Sequence, residues 1–224
     1  MATARVSPLP PRVAAEPPPL EIDDDDESAG LVDDVEWVNV RITQDFTGVV
    51  AEDVEIAECH VHGARFTGAQ LERIRISDTV FEDCDLSGTV LDESALTRVE
   101  FRSCRMSGVV ASRGTWRDVR FVGCRLDEAS FRMLNATVLE LDDCDLRGAD
   151  LYAAKAPGAR LLRCDLTSAE LSKADLAGAR LRGSTLEGIK GALSLKQAII
   201  DSTQILPLAM QLFAALGVRI DDDE

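Results

Sequence analysis

The chain has 224 residues, a net charge of −16 and 46% apolar residues. This apolar share is enough for a continuous core, whereas the excess of acids argues against direct nucleic-acid binding and favours a basic protein partner. Because no run of 18 apolar residues occurs, we expect no transmembrane helix and no membrane partner.

Residues 1–30 contain six of the eight prolines and the acidic run from Asp23 to Asp26, followed by Glu27. This composition is too polar and too rich in proline to bury a core, so we predict a disordered tail. Arg5 and Arg12 lie in this tail, but an apolar stretch of about 7 to 15 residues is missing, and we therefore expect no secretory signal.

Residues 31–45 have the apolar pattern of a strand, but they do not fit the five-residue register of the chain that follows. That register would place Glu36 and Arg41 in the core, so we predict that it slips here. We interpret residues 31–45 as an N-terminal cap with Trp37 as its plug, because an open end of a repeat array exposes strand edges and core. The apolar residues of this segment are Val35, Trp37, Val38, Val40 and Ile42.

From Phe46 to Leu186 every fifth residue is apolar, at 29 consecutive positions. Two residues before these central positions, 25 of the 29 sites hold Ala, Cys, Ser, Thr, Val or Gly. A period of five fits neither an α-helix, at about 3.6, nor a flat strand, at about 2. It indicates a solenoid in which each unit buries its apolar side by stacking on its neighbours.

The segments Ala149-Asp150-Leu151, Ala174-Asp175-Leu176 and Cys164-Asp165-Leu166 carry a recurring motif. With it the chain resembles the pentapeptide-repeat family, including bacterial members related to gyrase-interacting proteins of the quinolone-resistance type. The resemblance covers about 145 of the 224 residues. It implies an all-β fold, a right-handed quadrilateral parallel β-helix of about seven coils over residues 46–190, with one pentapeptide per face.

Residue columns support a coil of twenty residues independently of the family. Five cysteines recur at that interval, and so do Phe81, Phe101 and Phe121. Eleven of the 15 glycines lie two residues after a central position, which we interpret as a corner where a missing Cβ relieves crowding. We expect no inserted loop and a rod of roughly 34 Å. The cysteine column consists of Cys84, Cys104, Cys124, Cys144 and Cys164.

Residues 191–224 are predicted to form a C-terminal cap and helix. Asp201 to Gln204 has the spacing of a capping box, Pro207 would kink or delay the helix, and Gly217 would end it. One apolar stripe comprises Ile205, Leu208, Leu212 and Leu216, and a second comprises Leu206, Met210 and Phe213. A cap needs only one stripe, so the second predicts a homodimer about a two-fold axis, unless the last residues of the chain cover it.

Catalytic and metal chemistry find no support in the sequence. All six cysteines occupy the small inward position, which favours buried thiols in a reducing, cytoplasmic compartment. In Cys59-His60-Val61-His62 the cysteine points inward and both histidines point outward, so these side chains cannot converge on a metal. Without a nucleophile arrangement, a phosphate loop or a cofactor motif, we expect no cofactor and no enzyme.

Three functions remain open. The first is a non-catalytic scaffold that binds an unidentified protein. The second, implied by the family resemblance, is a DNA mimic that binds gyrase or another type II topoisomerase and protects it from quinolones or natural poisons. The third is a purely structural or storage rod. Residues 46–200 carry a net charge of only −4, and Glu100, Arg120 and Glu140 form an alternating outward ladder with Arg160, which weakens the mimic. A continuous negative stripe would favour the mimic and a checkerboard the scaffold. The acids that would carry mimicry are Glu82, Asp83, Asp85, Asp142, Asp143 and Asp145, with Asp23 to Asp26 as an addition.

Overall fold

The computed structural model describes residues 7–13, 17–20 and 30–218. Within them the chain is a stack of short parallel strands followed by one α-helix. The strands are β1 Glu36–Val38, β2 Arg41–Ile42, β3 Val50–Glu52, β4 Glu55–Ala57, β5 His60–His62, β6 Gln70–Glu72, β7 Arg75–Glu82, β8 Ala95–Arg102, β9 Thr115–Val122, β10 Asn135–Asp142 and β11 Arg160–Leu162. Two 3-10 helices, Ala192–Leu195 and Ser202–Gln204, precede the helix α1, Ile205–Ala215.

The predicted coil of twenty residues sets the strand register. Phe81 pairs with Phe101 and Phe101 pairs with Phe121, all in parallel. Between the named strands, single bridges extend the same interval through eight rungs, which confirms the parallel β-solenoid. These rungs are Asp45, Arg65, Asp85, Arg105, Arg125, Asp145, Asp165 and Thr185.

The predicted register slip lies in the cap. Trp37 pairs with Ile56 and Ile42 pairs with Val61, so these rungs are nineteen residues apart instead of twenty. The one-residue difference keeps Glu36 and Arg41 on the outside. Trp37 is buried, with its ring centroid 5.3 Å from that of Phe46, as expected for a plug at this end of the core.

One further rung lies beyond the cap and was not expected. Pro19 bridges Arg41 in parallel, the Arg41 N–H donates to the Pro18 carbonyl at 2.6 Å, and the Leu20 N–H donates to the Arg41 carbonyl at 2.7 Å. Pro17 is buried. Residues 17–20 therefore differ from the disordered tail expected for residues 1–30, because their backbone extends the sheet. Residues 7–13 also contact the rod. Residues 1–6, 14–16 and 21–29 of that tail lie outside the described residues.

The interior is filled by stacked side chains from neighbouring coils. The rings of Phe81 and Phe101 stack with centroids 4.9 Å apart, and those of Phe101 and Phe121 with centroids 4.7 Å apart. Leu86 and Leu126, at central positions on another face, are also buried. All six cysteines are free and buried, and burial raises the pKa of the Cys59 thiol. These thiols act as core side chains.

Corners fall two residues after each central position, as predicted, but at most of them crowding is not the reason for glycine. A Cβ added at Gly48 or Gly68 would meet nothing within 4 Å, whereas both residues have a positive φ, of 68° and 66°. The left-handed backbone conformation therefore favours glycine at these corners, although another corner holds Val138 with φ 59°. Asp83 and Asp143 adopt the same conformation, in agreement with the tolerance of aspartate for it.

Gly114 is a glycine at which space decides without any demand from the backbone conformation. Its φ is not positive, and an added Cβ would lie 2.9 Å from Trp116 Nε1 and 3.2 Å from the Ser94 carbonyl oxygen. The Trp116 indole donates to Ser94 Oγ at 3.1 Å, so its position is fixed. We expect Gly114→Ala to lower the free energy of unfolding by roughly 1 to 3 kcal/mol, measured by chemical denaturation.

A matched control separates crowding from backbone conformation. Gly48→Asn should lower the free energy of unfolding by less than about 1 kcal/mol, because the site is open and asparagine tolerates the left-handed region. Equal losses in the two variants would contradict the steric role of Gly114.

Candidate protein-interaction surfaces

The six acids proposed for mimicry do not form a continuous negative stripe. Asp85 pairs with Arg105 at 2.8 Å, Asp145 pairs with Arg147 at 2.5 Å, and Asp142 pairs with Arg163. Hydrogen bonding from Arg147 holds the pKa of the Asp145 carboxyl below its ordinary value. The surface here is a checkerboard of opposite charges.

Of the other three candidate acids, Glu82 and Asp83 are adjacent in sequence, whereas Asp143 lies apart from them. Glu82 lies 3.4 Å from His60 Nε2 and 3.7 Å from His62 Nδ1. Asp83 and Asp143 are exposed corner residues in one column, three coils apart, and Ser103 and Gly123 lie between them. Cys59 is buried on the inner side while His62 is exposed, as predicted. No group of metal-binding side chains occurs in the described ranges 7–13, 17–20 and 30–218.

The alternating column is an ion-pair ladder, but its acids are not exposed as expected. Arg120 contacts Glu100 at 3.4 Å and Glu140 at 3.1 Å, and Arg160 contacts Glu140 at 2.8 Å. Glu100 is 6% and Glu140 is 5% exposed. Glu140 on β10 lies between the arginines of the two adjacent rungs, whereas Glu100 on β8 contacts Arg120 of one adjacent rung and Arg102 of its own strand. Residues 7–13 lie on the same side of the rod.

Charge changes sign along the rod. Residues 46–145 contain 19 acids and 11 bases, whereas residues 146–200 contain 5 acids and 9 bases. The net charge is therefore −8 over the first part and +4 over the second. Such a gradient orients a charged partner along the rod instead of presenting a uniform acidic surface.

The C-terminal helix begins as its sequence signals predict. Asp201 accepts from the Thr203 N–H, and the Gln204 side chain accepts from the Asp201 N–H, which completes the capping box. The box opens the 3-10 turn Ser202–Gln204, and the regular helix α1 begins only at Ile205, as expected from the delay predicted for Pro207. Pro207 then lies in the first turn of α1, where the amide groups need no partner within the helix. Gly217, with φ 69°, follows the end of the helix.

Only part of the first apolar stripe packs on the rod. Leu208 is buried and Leu212 is partly buried, but Ile205 and Leu216, which we expected beside them, are 59% and 64% exposed. The short helix crosses the end of the rod, so only its middle turns reach the core.

The second stripe is exposed along its whole length. Leu206 is 74%, Met210 is 52% and Phe213 is 46% exposed. With Ile205 and Leu216 these side chains form one apolar surface, which we call the helix patch. The last residues that could cover it, 219–224, lie outside the described residues.

Gln204 closes the last coil and was not singled out by its sequence context beyond the capping box. Its buried side-chain amide donates to the carbonyls of Leu181 and Ser184. We expect Gln204→Ala to lower the free energy of unfolding by about 1 to 3 kcal/mol, because two buried carbonyls lose their donor. Chemical denaturation measures this loss, and Gln211→Ala on α1 is the control; an equal effect of both changes would contradict the closing role.

No helix in the described part of the chain has the length and apolarity needed to cross a membrane. Comparison with curated proteins found no match. Among solved structures, a trypsin-treated variant of QnrB1, a plasmid-mediated fluoroquinolone resistance protein, is 21% identical, covers 86% of this chain and 100% of its own, and has a TM-score of 0.41. HetL of the cyanobacterium Nostoc sp. strain PCC 7120, involved in heterocyst differentiation regulation, is 21% identical over 75% of this chain and 87% of its own, with a TM-score of 0.39.

Family models give the more specific result. A model described as pentapeptide repeat region matches residues 54–131, and a model described as pentapeptide repeats in eight copies matches residues 144–183. Together these two segments span more than half of the chain and fall within the stacked coils. The chain belongs to the pentapeptide-repeat family.

Proposed function

We propose that this protein is a non-catalytic scaffold that binds a protein partner through the outer faces of its rod. The observation that carries the proposal is the checkerboard of the surface, in which acids and arginines of successive coils neutralise one another, as Asp85 and Arg105 do. A rigid face with charges at fixed intervals of ~4.8 Å provides register and specificity for a complementary partner. The six buried thiols support a reducing location such as the cytoplasm.

A second candidate function is a DNA mimic that binds gyrase or another type II topoisomerase and protects it from quinolones or natural poisons. The excess of eight acids over residues 46–145 favours it. The pairing of Asp85, Asp142 and Asp145 with arginines argues against it, because neutralised carboxylates do not imitate a row of phosphates. We therefore place it second.

We also propose that the protein is a homodimer through the helix patch. Met210 and Phe213 on one copy would pack against the same residues of the other about a two-fold axis. Large apolar side chains that are about half exposed or more on adjacent turns of one helix are typical of an association surface. This arrangement would place the two rods end to end.

A supercoiling assay separates the two functions. Gyrase is assayed with and without a quinolone, at micromolar concentrations of the protein. The scaffold proposal expects neither inhibition of supercoiling nor protection from the drug. Inhibition or protection that is lost in a variant carrying Asp85→Lys and Asp145→Lys, but kept in the control Glu128→Lys, would replace the scaffold by the mimic.

A further inference from the structure

The segment Ser7–Val13, which we call the strap, lies across the rungs of the rod. The Leu9 N–H donates to Asp118 Oδ1 at 3.2 Å, and the Arg12 N–H donates to Asp78 Oδ1 at 3.1 Å. Arg160 Nη1 donates to Ser7 Oγ at 2.5 Å. From Ser7 to Val13 the strap runs toward the N-terminal end of the rod. Its contacts extend from the rung of Arg160 to the rung of Asp78.

The spacing of these contacts matches an extended proline-type backbone. Leu9 and Arg12 are three residues apart, which in a polyproline II helix corresponds to about 9.3 Å. Asp118 and Asp78 are two coils apart, which corresponds to about 9.6 Å of stacked strands. Three residues of α-helix would span only about 4.5 Å. Three residues of a β-strand span about 9.9 Å, so the spacing alone indicates an extended backbone. The three prolines, with φ fixed near −65°, favour the polyproline II form of it.

The prolines of the strap fall at positions that fit this repeat. Pro8, Pro10 and Pro11 have no N–H, so Leu9 and Arg12 provide the only backbone donors between residues 8 and 12. Both donors bind an aspartate. Pro8 and Pro11, also three residues apart, are half-buried, whereas Pro10 is exposed. Donors and buried prolines therefore follow the three-residue period of polyproline II.

The acceptors are built into the rod. Asp78 is 7% and Asp118 is 9% exposed, and both are corner residues with positive φ. Asp78 also accepts from Arg98 Nε at 2.6 Å, and this guanidinium holds the pKa of the carboxyl below its ordinary value. The corner between them holds Arg98 and the corner after Asp118 holds Val138, so the two buried acceptors lie two coils apart.

We propose that the corner column containing Asp78, Arg98 and Asp118 is a binding site for a polyproline II segment, occupied in this chain by the strap. Displacement of the strap makes the same site available to a proline-rich segment of a partner that carries backbone donors three residues apart. Binding of a partner in this way rests on the proposed scaffold function, whereas occupation by the strap does not. The strap thereby competes with such partners.

The first test measures the strap in the full-length chain by NMR amide hydrogen exchange. We expect the Leu9 and Arg12 amides to exchange at least about tenfold more slowly than in a synthetic peptide of residues 7–13, as expected for N–H bonds to carboxylates. Leu9→Pro removes one donor and leaves the rod unchanged, and it should abolish the protection of Arg12. The control is Val13→Pro, which removes an N–H that has no partner among the described residues. Exchange of both wild-type amides at the peptide rate would overturn the proposal.

The second test adds the fluorescent peptide of residues 7–13 to the full-length protein and follows its anisotropy. We expect at least about tenfold tighter binding to the Leu9→Pro chain than to wild type, because the weakened strap leaves the site accessible. A peptide with proline in place of Leu9 should bind neither chain. Equal binding of the peptide to the two chains would overturn competition at this site. The supercoiling assay does not depend on either result, so failure here leaves the proposed function standing.

Discussion

Replacing Met210 and Phe213 by glutamate is expected to give a monomer. Both residues lie in the helix patch and are about half exposed in the single chain, so the change should not disturb the rod. In the proposed dimer it would bring four unpaired carboxylates into an apolar interface. A loss of about 4 kcal/mol of association free energy corresponds to roughly a thousandfold weaker dimer. Sedimentation velocity over a range of concentrations measures the mass.

The control for this experiment is Met133→Glu, an exposed methionine on the rod and outside the helix patch. It should sediment as the wild type does. A wild-type protein that is already monomeric, or a double variant of unchanged mass, would contradict the proposed dimer. Circular dichroism of each variant shows whether helix α1 is retained.

Replacing Phe101 by alanine is expected to lower the free energy of unfolding by about 3 to 5 kcal/mol. Phe101 is 1% exposed and its ring lies between those of Phe81 and Phe121, so truncation leaves a cavity at the centre of three coils. The backbone of each coil is held by its neighbours, which prevents the walls from closing. Chemical denaturation followed by circular dichroism measures the loss.

Val50→Ala is the matched control, because Val50 is 65% exposed and lies in a strand of another face. Its effect should stay within about 0.5 kcal/mol. A loss below about 1 kcal/mol for Phe101→Ala would mean that the core fills the space by rearrangement, and that the stacked rings do not carry the stability assigned to them.

The sequence predicted the rod because its period acts at every rung. An apolar residue at each fifth position and a small one two residues earlier define the inside of a coil without reference to distant parts of the chain. Glu36 and Arg41 were equally informative, because their charges exclude a continuation of the five-residue register into residues 31–45. The pairing of Trp37 with Ile56, nineteen residues apart, shows how the chain avoids burying them.

The same rule could not predict what covers the outside. Glu100 and Glu140 point outward as the period requires. Adjacent arginines, on the side of the rod where the strap lies, nevertheless leave them almost inaccessible to solvent. The strap was assigned to a disordered tail from its composition alone, because a segment rich in proline cannot bury a core. A better signal for binding to the rod was the spacing of Leu9 and Arg12, which carry the only backbone N–H donors between residues 8 and 12. The helix patch was only partly predicted: the second apolar stripe was expected to be exposed, but Ile205 and Leu216 were not. The apolar stripes do not show how much of α1 overlaps the rod.

The rung formed by residues 17–20 has a consequence for assembly into fibres. In a parallel sheet, alternate residues bond to opposite neighbours, and here the Pro18 carbonyl and the Leu20 N–H face Arg41. The residues that face away are Pro17 and Pro19, which have no hydrogen to donate. A second molecule that approached this end would find carbonyl acceptors but no N–H donors, so growth of an amyloid-like stack is disfavoured where an open solenoid would otherwise act as a template.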